Sequence, residues 1–232
     1  MIIVRAAKRP GDGDDGFRLM RETIAGVDRE GGAVAQRLVV FDNDTPARYD
    51  AVPQDWRTVV FFGERGARAS MWQALGQAGG ALAPVLILED DLAFAGNAVA
   101  TMLGTAIPPG MPFVSFFYPV YAQPWEEFPD HPKPRVAGME SWPMHSFGWT
   151  QAVLLAPAAI DAVLSQGRLP APAFGGPHGG DIGLRDALMA AGYTEFGMVW
   201  PNLVEHAGAA EGLSAILTGR PNLRSGWFAG SP

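Results

Sequence analysis

Pro84-Val85-Leu86-Ile87-Leu88-Glu89-Asp90-Asp91 sets an uncharged, almost wholly aliphatic run against three consecutive carboxylates. A continuous run of this length suits a strand buried on both faces, as in the parallel sheets of α/β proteins, better than the alternating strand of a half-solvated antiparallel sheet. The acids that follow it then belong at the carboxyl edge of that sheet, where open α/β folds bind their ligands. Three runs of the same kind precede it: Ile2-Ile3-Val4, Arg37-Leu38-Val39-Val40-Phe41 and Thr58-Val59-Val60-Phe61-Phe62. Segments 17–27 and 69–78 have the residue types of covering helices, so the first half is expected to consist of βαβ units. Asp42-Asn43-Asp44-Thr45-Pro46 follows the second run as the acidic triplet follows the fourth, and belongs at the same edge.

Composition agrees with an α/β enzyme. The chain has 232 residues, 48% hydrophobic and 18% charged, enough for one well-buried core, and this excludes a disordered tail or a collagen-like rod. Seventeen basic against 24 acidic side chains, a net charge of −7, disfavour a duplex-DNA binder held by a basic face. The 29 glycines and 20 prolines call for many loops and argue against an all-helical bundle. No cysteine is present, so disulfides, thiolate metal sites and cysteine nucleophiles are excluded. Met1-Ile2-Ile3-Val4-Arg5 is too short for a secretory signal, and no apolar stretch approaches the roughly 20 residues of a membrane span, so a soluble cytoplasmic protein is expected.

Beyond the fourth run, residues 119–146 hold Pro119, Pro124, Pro129, Pro132, Pro134 and Pro143 among Tyr121, Trp125, Phe128 and Trp142, and are expected to form one long loop. A strand is expected over 150–155, then a helix starting at Pro157 and running to about residue 166. The loop Phe174-Gly175-Gly176-Pro177-His178-Gly179-Gly180 leads into a helix expected over 181–191 and closed by Gly192. No composition break divides the chain, so a single domain is expected, with a nucleotide-binding half over 1–118 and an acceptor-binding half over 119–232.

Two acidic motifs compete for the chemistry. Gly11-Asp12-Gly13-Asp14-Asp15-Gly16 matches the dinucleotide pattern G-x-G-x-x-G between a strand and a helix, with Asp42 where a ribose-binding acid would stand. Its three aspartates, however, put negative charge where a pyrophosphate needs amides and a favourable helix dipole, so a turn capping the next helix is the better assignment. It also lacks the glutamate that an EF-hand needs at the twelfth loop position. Glu89-Asp90-Asp91 is more informative, because three adjacent acids fixed after a buried strand repel one another and call for a counter-charge. A hard divalent cation bridged to substrate phosphates supplies one; an exposed acidic turn is the alternative.

The second half of the chain adds to that cluster. Val85-Leu86-Ile87-Leu88-Glu89-Asp90-Asp91-Leu92, then Phe147-Gly148-Trp149-Thr150-Gln151-Ala152-Val153-Leu154-Leu155, then Gly179-Gly180-Asp181-Ile182-Gly183-Leu184, then Pro201-Asn202-Leu203-Val204-Glu205-His206-Ala207-Gly208 follow one another in order. Over residues 85–215 this layout resembles the GT-A fold glycosyltransferases that use nucleotide sugars, closest to the inverting N-acetylglucosaminyltransferase I-like and small bacterial or phage enzymes. The resemblance implies a Rossmann-type, mixed but mainly parallel sheet and hexosyl transfer from a nucleoside diphosphate sugar, a UDP-sugar above all. It makes Glu89-Asp90-Asp91 the "DXD"-type motif. Asp91 would hold Mn2+ or Mg2+, with His206 as a second metal or diphosphate ligand. Glu89 and Asp90 would contact the ribose or the donor sugar, and Asp181 would be the catalytic base, although aspartate there also suits a plain helix N-cap.

Other residues are candidates by type and place. Arg5, Arg65 and Arg68 can hold phosphate or a nucleobase edge by forked hydrogen bonds, or simply serve surface solubility. Asp42 or Asp44 can accept from a uracil-like base, and Trp149 and His178 are candidates to meet the acceptor. That acceptor is expected to be a hydroxyl on a saccharide, lipid or protein, while a hydroxylated DNA base fits the acidic balance less well. Two other functions stay open: a dinucleotide-dependent oxidoreductase using residues 11–16, and a non-catalytic nucleotide- or carbohydrate-binding module of the same fold.

Overall fold

Each of the four aliphatic runs of the first half contributes a strand, the third over 57–59, and the four strands lie side by side in parallel. The computed structural model describes residues 1–7, 16–30, 36–41, 52–60, 66–120, 137–170, 179–207, 224–225 and 229. In chain order the first half contains β1 (Ile2–Ala6), α1 (Arg18–Glu30), β2 (Arg37–Phe41), β3 (Arg57–Val59), α2 (Ala67–Ala78) and β4 (Val85–Glu89). β1 pairs in parallel with both β2 and β4, and β2 with β3. The aliphatic side chains of β1 and β4 are wholly buried, which a strand with helices over both faces requires. Gly16, at φ 80°, turns the chain into α1, and Phe17 packs edge-on against Phe41 of β2.

The second half contributes β5 (Leu92–Phe94), α3 (Ala98–Gly104), β6 (Phe113–Ser115), β7 (Pro119–Val120), β8 (Gly138–Pro143), a 3-10 turn (Met144–Ser146), β9 (Ala152–Leu155), α4 (Pro157–Leu164), α5 (Gly180–Ala190), β10 (Glu195–Trp200), β11 (Val204–His206) and β12 (Arg224–Ser225). The result is a single α/β domain whose described residues form an eight-stranded mixed sheet in the order β3-β2-β1-β4-β9-β6-β10-β8. β9 runs against β4 and β6, and β8 against β10. Two small ribbons, β5 with β11 and β7 with β12, stand apart from that sheet.

The helices fall into two groups, α1 with α3, and α2 with α4 and α5. Strand order explains this. The chain moves outward from β1 to β2 and β3, then returns through α2 to β4 on the other side of β1. Right-handed crossovers in opposite directions put α1 and α2 on opposite faces. The sheet therefore has a topological switch point between β1 and β4, and the carboxyl ends of strands at such a point are where open α/β sheets bind ligands.

Two expectations need correction. Residues 119–146 are not one loop, because they include β7, β8 and the 3-10 turn. β8 is the sheet's outermost strand, where Pro143 removes no ladder hydrogen bond that matters, and Trp142 is buried opposite Phe196. The prolines that made this stretch look irregular fall at the ends of strands or within 121–136, outside the described residues. The second correction is that Asp181 does not cap α5. The helix starts one residue earlier, at Gly180, with Gly179 as its cap, so Asp181 lies inside the first turn.

Candidate functional site

Arg5 is the next-to-last residue of an otherwise apolar strand, and its register partner on β4 is Glu89. The two charges therefore stand across the switch point, with Arg5 Nη1 at 3.5 Å from Glu89 Oε1. The guanidinium is only 7% exposed and uses its donors inward. Its Nε donates to Ser70 Oγ at 3.2 Å, Nη1 to Thr150 Oγ1 at 3.1 Å, and Nη2 to the Ala67 carbonyl at 2.8 Å and Ser70 Oγ at 3.0 Å. Thr150 in turn donates to Glu89 Oε1 at 2.9 Å. Neither role considered for Arg5, a surface charge or a phosphate fork, describes this. It ties β1, the start of α2, β4 and the approach to β9 into one cluster, because an arginine buried at a sheet edge must find partners for all its N–H groups.

The first turn of α5 rests on this cluster. An added Cβ at Gly180 would stand 2.4 Å from the Ala67 carbonyl oxygen and 3.3 Å from Arg5 Nη2, so only glycine allows the helix so close. Asp181, half-buried, follows directly, and its Oδ1 accepts from the Ile182 N–H at 3.0 Å. Burial and the nearby Glu89 carboxylate push the Asp181 carboxyl up to about 6, against weaker opposing pulls from helix N–H groups and Arg5. A carboxyl held near neutrality in this way is suited to take up and release a proton at physiological pH.

The acidic triplet does not converge on one point. Glu89 turns to Arg5 and Thr150, Asp90 accepts the Ala7 N–H at 2.8 Å, and Asp91 meets His206. Each acid thus has its own partner, and the mutual repulsion expected from the sequence is relieved within the protein. Asp90 and Asp91 are almost fully buried, at 2% and 1% exposure, so an exposed acidic turn is excluded.

Asp91 and His206, 115 residues apart, are joined by the β5–β11 ribbon, in which Leu92 faces His206. Their contact is a 2.6 Å hydrogen bond between His206 Nε2 and Asp91 Oδ2, and the Ala207 N–H donates to the Asp91 carbonyl at 2.8 Å. α1 holds the ribbon in place. Thr23 Oγ1 accepts the Leu92 N–H at 2.9 Å and donates to the Leu92 carbonyl, while Gly26 lets Phe94 lie against the helix. A carboxylate and an imidazole in contact are a donor pair suited to a cation between the hardest and the softer divalent ions. Among the described residues, no group of three or more His, Cys, Asp or Glu side chains could hold a metal ion.

The remaining candidates are distributed as follows. Arg68 lies in the first turn of α2, with its Cγ near Gly183 of α5, on the same flank as Arg5. Trp149 is 7% exposed and packs edge-on against Tyr118, which also meets Trp142 and Trp200, so it belongs to an aromatic layer beside the site. Asp42, Asp44, Arg65, His178 and residues 11–15 lie outside the described residues. Sequence reasoning missed Ser70 and Thr150. The signal for them was indirect: a charged residue at the end of a doubly buried strand demands polar neighbours from the elements around it. A scan of protein-family models and a search of the curated proteins find nothing that matches this chain. Among the described residues, no helix is long and apolar enough to cross a membrane.

Proposed function

We propose that this chain is a GT-A-type glycosyltransferase that moves a hexosyl group, in the cytoplasm, from a nucleoside diphosphate sugar to an acceptor hydroxyl. The observation that carries the proposal is the place of Asp181, in the first turn of a helix seated on Ala67 and Arg5 beside the Arg5–Glu89 pair at the switch point, and its carboxyl, pushed up to about 6, suits the role. Above that pH the ionised carboxylate takes the proton of the acceptor hydroxyl as its oxygen bonds to the anomeric carbon. The bond from that carbon to the diphosphate oxygen breaks on the opposite face, which inverts the centre.

Asp91 and His206 are the residues that would hold Mn2+ or Mg2+, and the imidazole favours manganese of the two. Such a cation, when bound, would neutralise the charge that builds on the departing diphosphate. Two protein donors leave room for phosphate oxygens and water, the usual arrangement where a cation is shared with a nucleotide. Asp90, anchored on the Ala7 N–H, and Glu89 lie at the same sheet edge, where the resemblance puts the ribose and the donor sugar. A saccharide, lipid or protein hydroxyl suits the net charge of −7 better than a base in DNA.

A thermal-shift panel of nucleoside diphosphates and their sugars, with and without manganese, tests the proposal. A ligand at a hundred times its Kd stabilises by about 2.7 kcal/mol, which at this chain length raises Tm by roughly 5 to 10 °C. One nucleoside diphosphate is expected to give that rise with manganese and a smaller one without, and Asp91→Ala should remove the manganese increment. An equal response to NAD without metal would favour the oxidoreductase. Binding with Asp181→Asn leaving product formation untouched would show that Asp181 is not the base.

A further inference from the structure

Arg5 and Glu89 form a partly buried ion pair, and Glu89 Oε1 is engaged by both Arg5 Nη1 and the Thr150 hydroxyl. Arg5 is fixed by Ser70 and by the Ala67 carbonyl, and that same carbonyl lies against Gly180. The groups that Gly180 lies against, the Ala67 carbonyl and Arg5, are thus tied to those that hold Glu89.

We infer that Arg5 and Glu89 form a positioning pair behind Asp181: Arg5 seats the first turn of α5 on the sheet edge, and Glu89 supplies a fixed negative charge that the Asp181 carboxyl meets. As the catalytic meaning of Asp181, this rests on the glycosyltransferase proposal; as electrostatics, it stands without it. The other charged or titratable groups on elements packed against α5 are Arg68 on α2, Asp161 on α4 and His145 in the 3-10 turn. On α5 itself, Arg185 pairs with Asp186. The charges that act on Asp181 are nevertheless Glu89, which opposes its ionisation, and Arg5, which favours it less strongly. A carboxylate facing a like charge and partly removed from water holds its proton to higher pH, and the rigid anchoring of Glu89 prevents it from swinging away to relieve the repulsion.

The test is a pH titration of the aspartate side-chain carboxyl carbons by NMR, on the free chain labelled with carbon-13 aspartate, with Asp181 assigned as the signal lost in Asp181→Asn. Glu89→Gln keeps an oxygen for the Thr150 hydroxyl and removes the charge. The Asp181 midpoint should fall from about 6 by roughly one pH unit or more. Thr150→Val leaves every charge in place but releases one hold on Glu89, and should move the midpoint in the same direction by less. It also serves as the test if Glu89→Gln does not fold. In a transfer assay Glu89→Gln should move the acid limb of kcat/KM downward, which loss of a donor contact alone would not do. An Asp181 midpoint that stays put in both variants overturns the inference, even where transfer is observed. A midpoint that falls in a chain that transfers no sugar from any donor leaves the inference standing and removes the glycosyltransferase.

Discussion

Asp181→Asn is expected to fold, to melt at a higher temperature than the parent at pH 8, and to transfer sugar far more slowly. The stability gain follows from the direction of the shift. In the unfolded chain the Asp181 carboxyl has its ordinary value, 3.8; in the folded chain burial and Glu89 raise it to about 6. Between these values the folded state binds more protons than the unfolded one, so stability falls as pH rises through that window and is lowest above it. A difference of about two pH units corresponds to about 3 kcal/mol. Asparagine keeps an oxygen for the Ile182 N–H but cannot ionise, so it avoids that cost. Well below pH 3.8 the carboxyl is protonated in both states of the parent and the two proteins should melt together, and at pH 4 most of the difference is already gone. Thermal unfolding at pH 4 and pH 8 decides the matter: a Tm difference of several degrees is expected at pH 8 alone. A uniform loss at both values would make Asp181 a structural residue of α5. In the transfer assay the loss of a general base should cost between about a hundredfold and ten-thousandfold, and the parent's kcat/KM should fall tenfold per pH unit below about 6.

A residue expected to destabilise the fold at working pH, set in the first turn of a helix beside an anchored charge, fits the proposed base better than a packing role. That arrangement was only partly legible in the sequence. β1, β2 and β4 were legible because a doubly buried strand leaves an unmistakable aliphatic run, and with them the sheet edge that carries Glu89, Asp90 and Asp91. The nearness of His206 to Asp91 was indicated only by the resemblance, because no local pattern reveals that two short strands 115 residues apart will pair. The partners that the fold gives the triplet were not legible. Local reasoning saw three acids in a row and asked for one external cation, whereas the fold turns consecutive side chains toward different neighbours and supplies Arg5, the Ala7 amide and His206 separately. β8 was missed for a similar reason: an edge strand tolerates the glycine and proline at its ends that read locally as a loop.

Gly180→Ala is expected to be strongly destabilising although alanine is the better helix former. Gly180 is the first residue of α5, and in an open helix the exchange would stabilise by roughly 0.5 to 1 kcal/mol. Gly76, in α2, has nothing within 4 Å of an added Cβ, so Gly76→Ala should show that gain. At Gly180 the new methyl would stand 2.4 Å from the carbonyl oxygen and 2.8 Å from the carbonyl carbon of Ala67, both backbone atoms that cannot rotate aside. Either α5 lifts off α2 or the Ala67 carbonyl moves, and the second breaks its 2.8 Å hydrogen bond from Arg5. Overpacking costs about 1 to 3 kcal/mol, and an unmatched hydrogen bond from a buried charge costs about 1.5 to 3 kcal/mol more. A net loss of about 3 kcal/mol, or roughly 6 to 12 °C in Tm, is the expected result in calorimetry. Gly183→Ala, with its nearest atoms at 3.2 and 3.4 Å, should lose much less. The diagnostic outcome is the fate of Asp181 in the Gly180→Ala chain at low temperature, where it remains folded. If α5 has lifted, Asp181 gains water and distance from Glu89, so its NMR midpoint should move down toward the ordinary carboxylate range. A midpoint still near 6 would mean that the strain is absorbed on the α2 side, and that close seating of the helix is not what keeps Asp181 protonated.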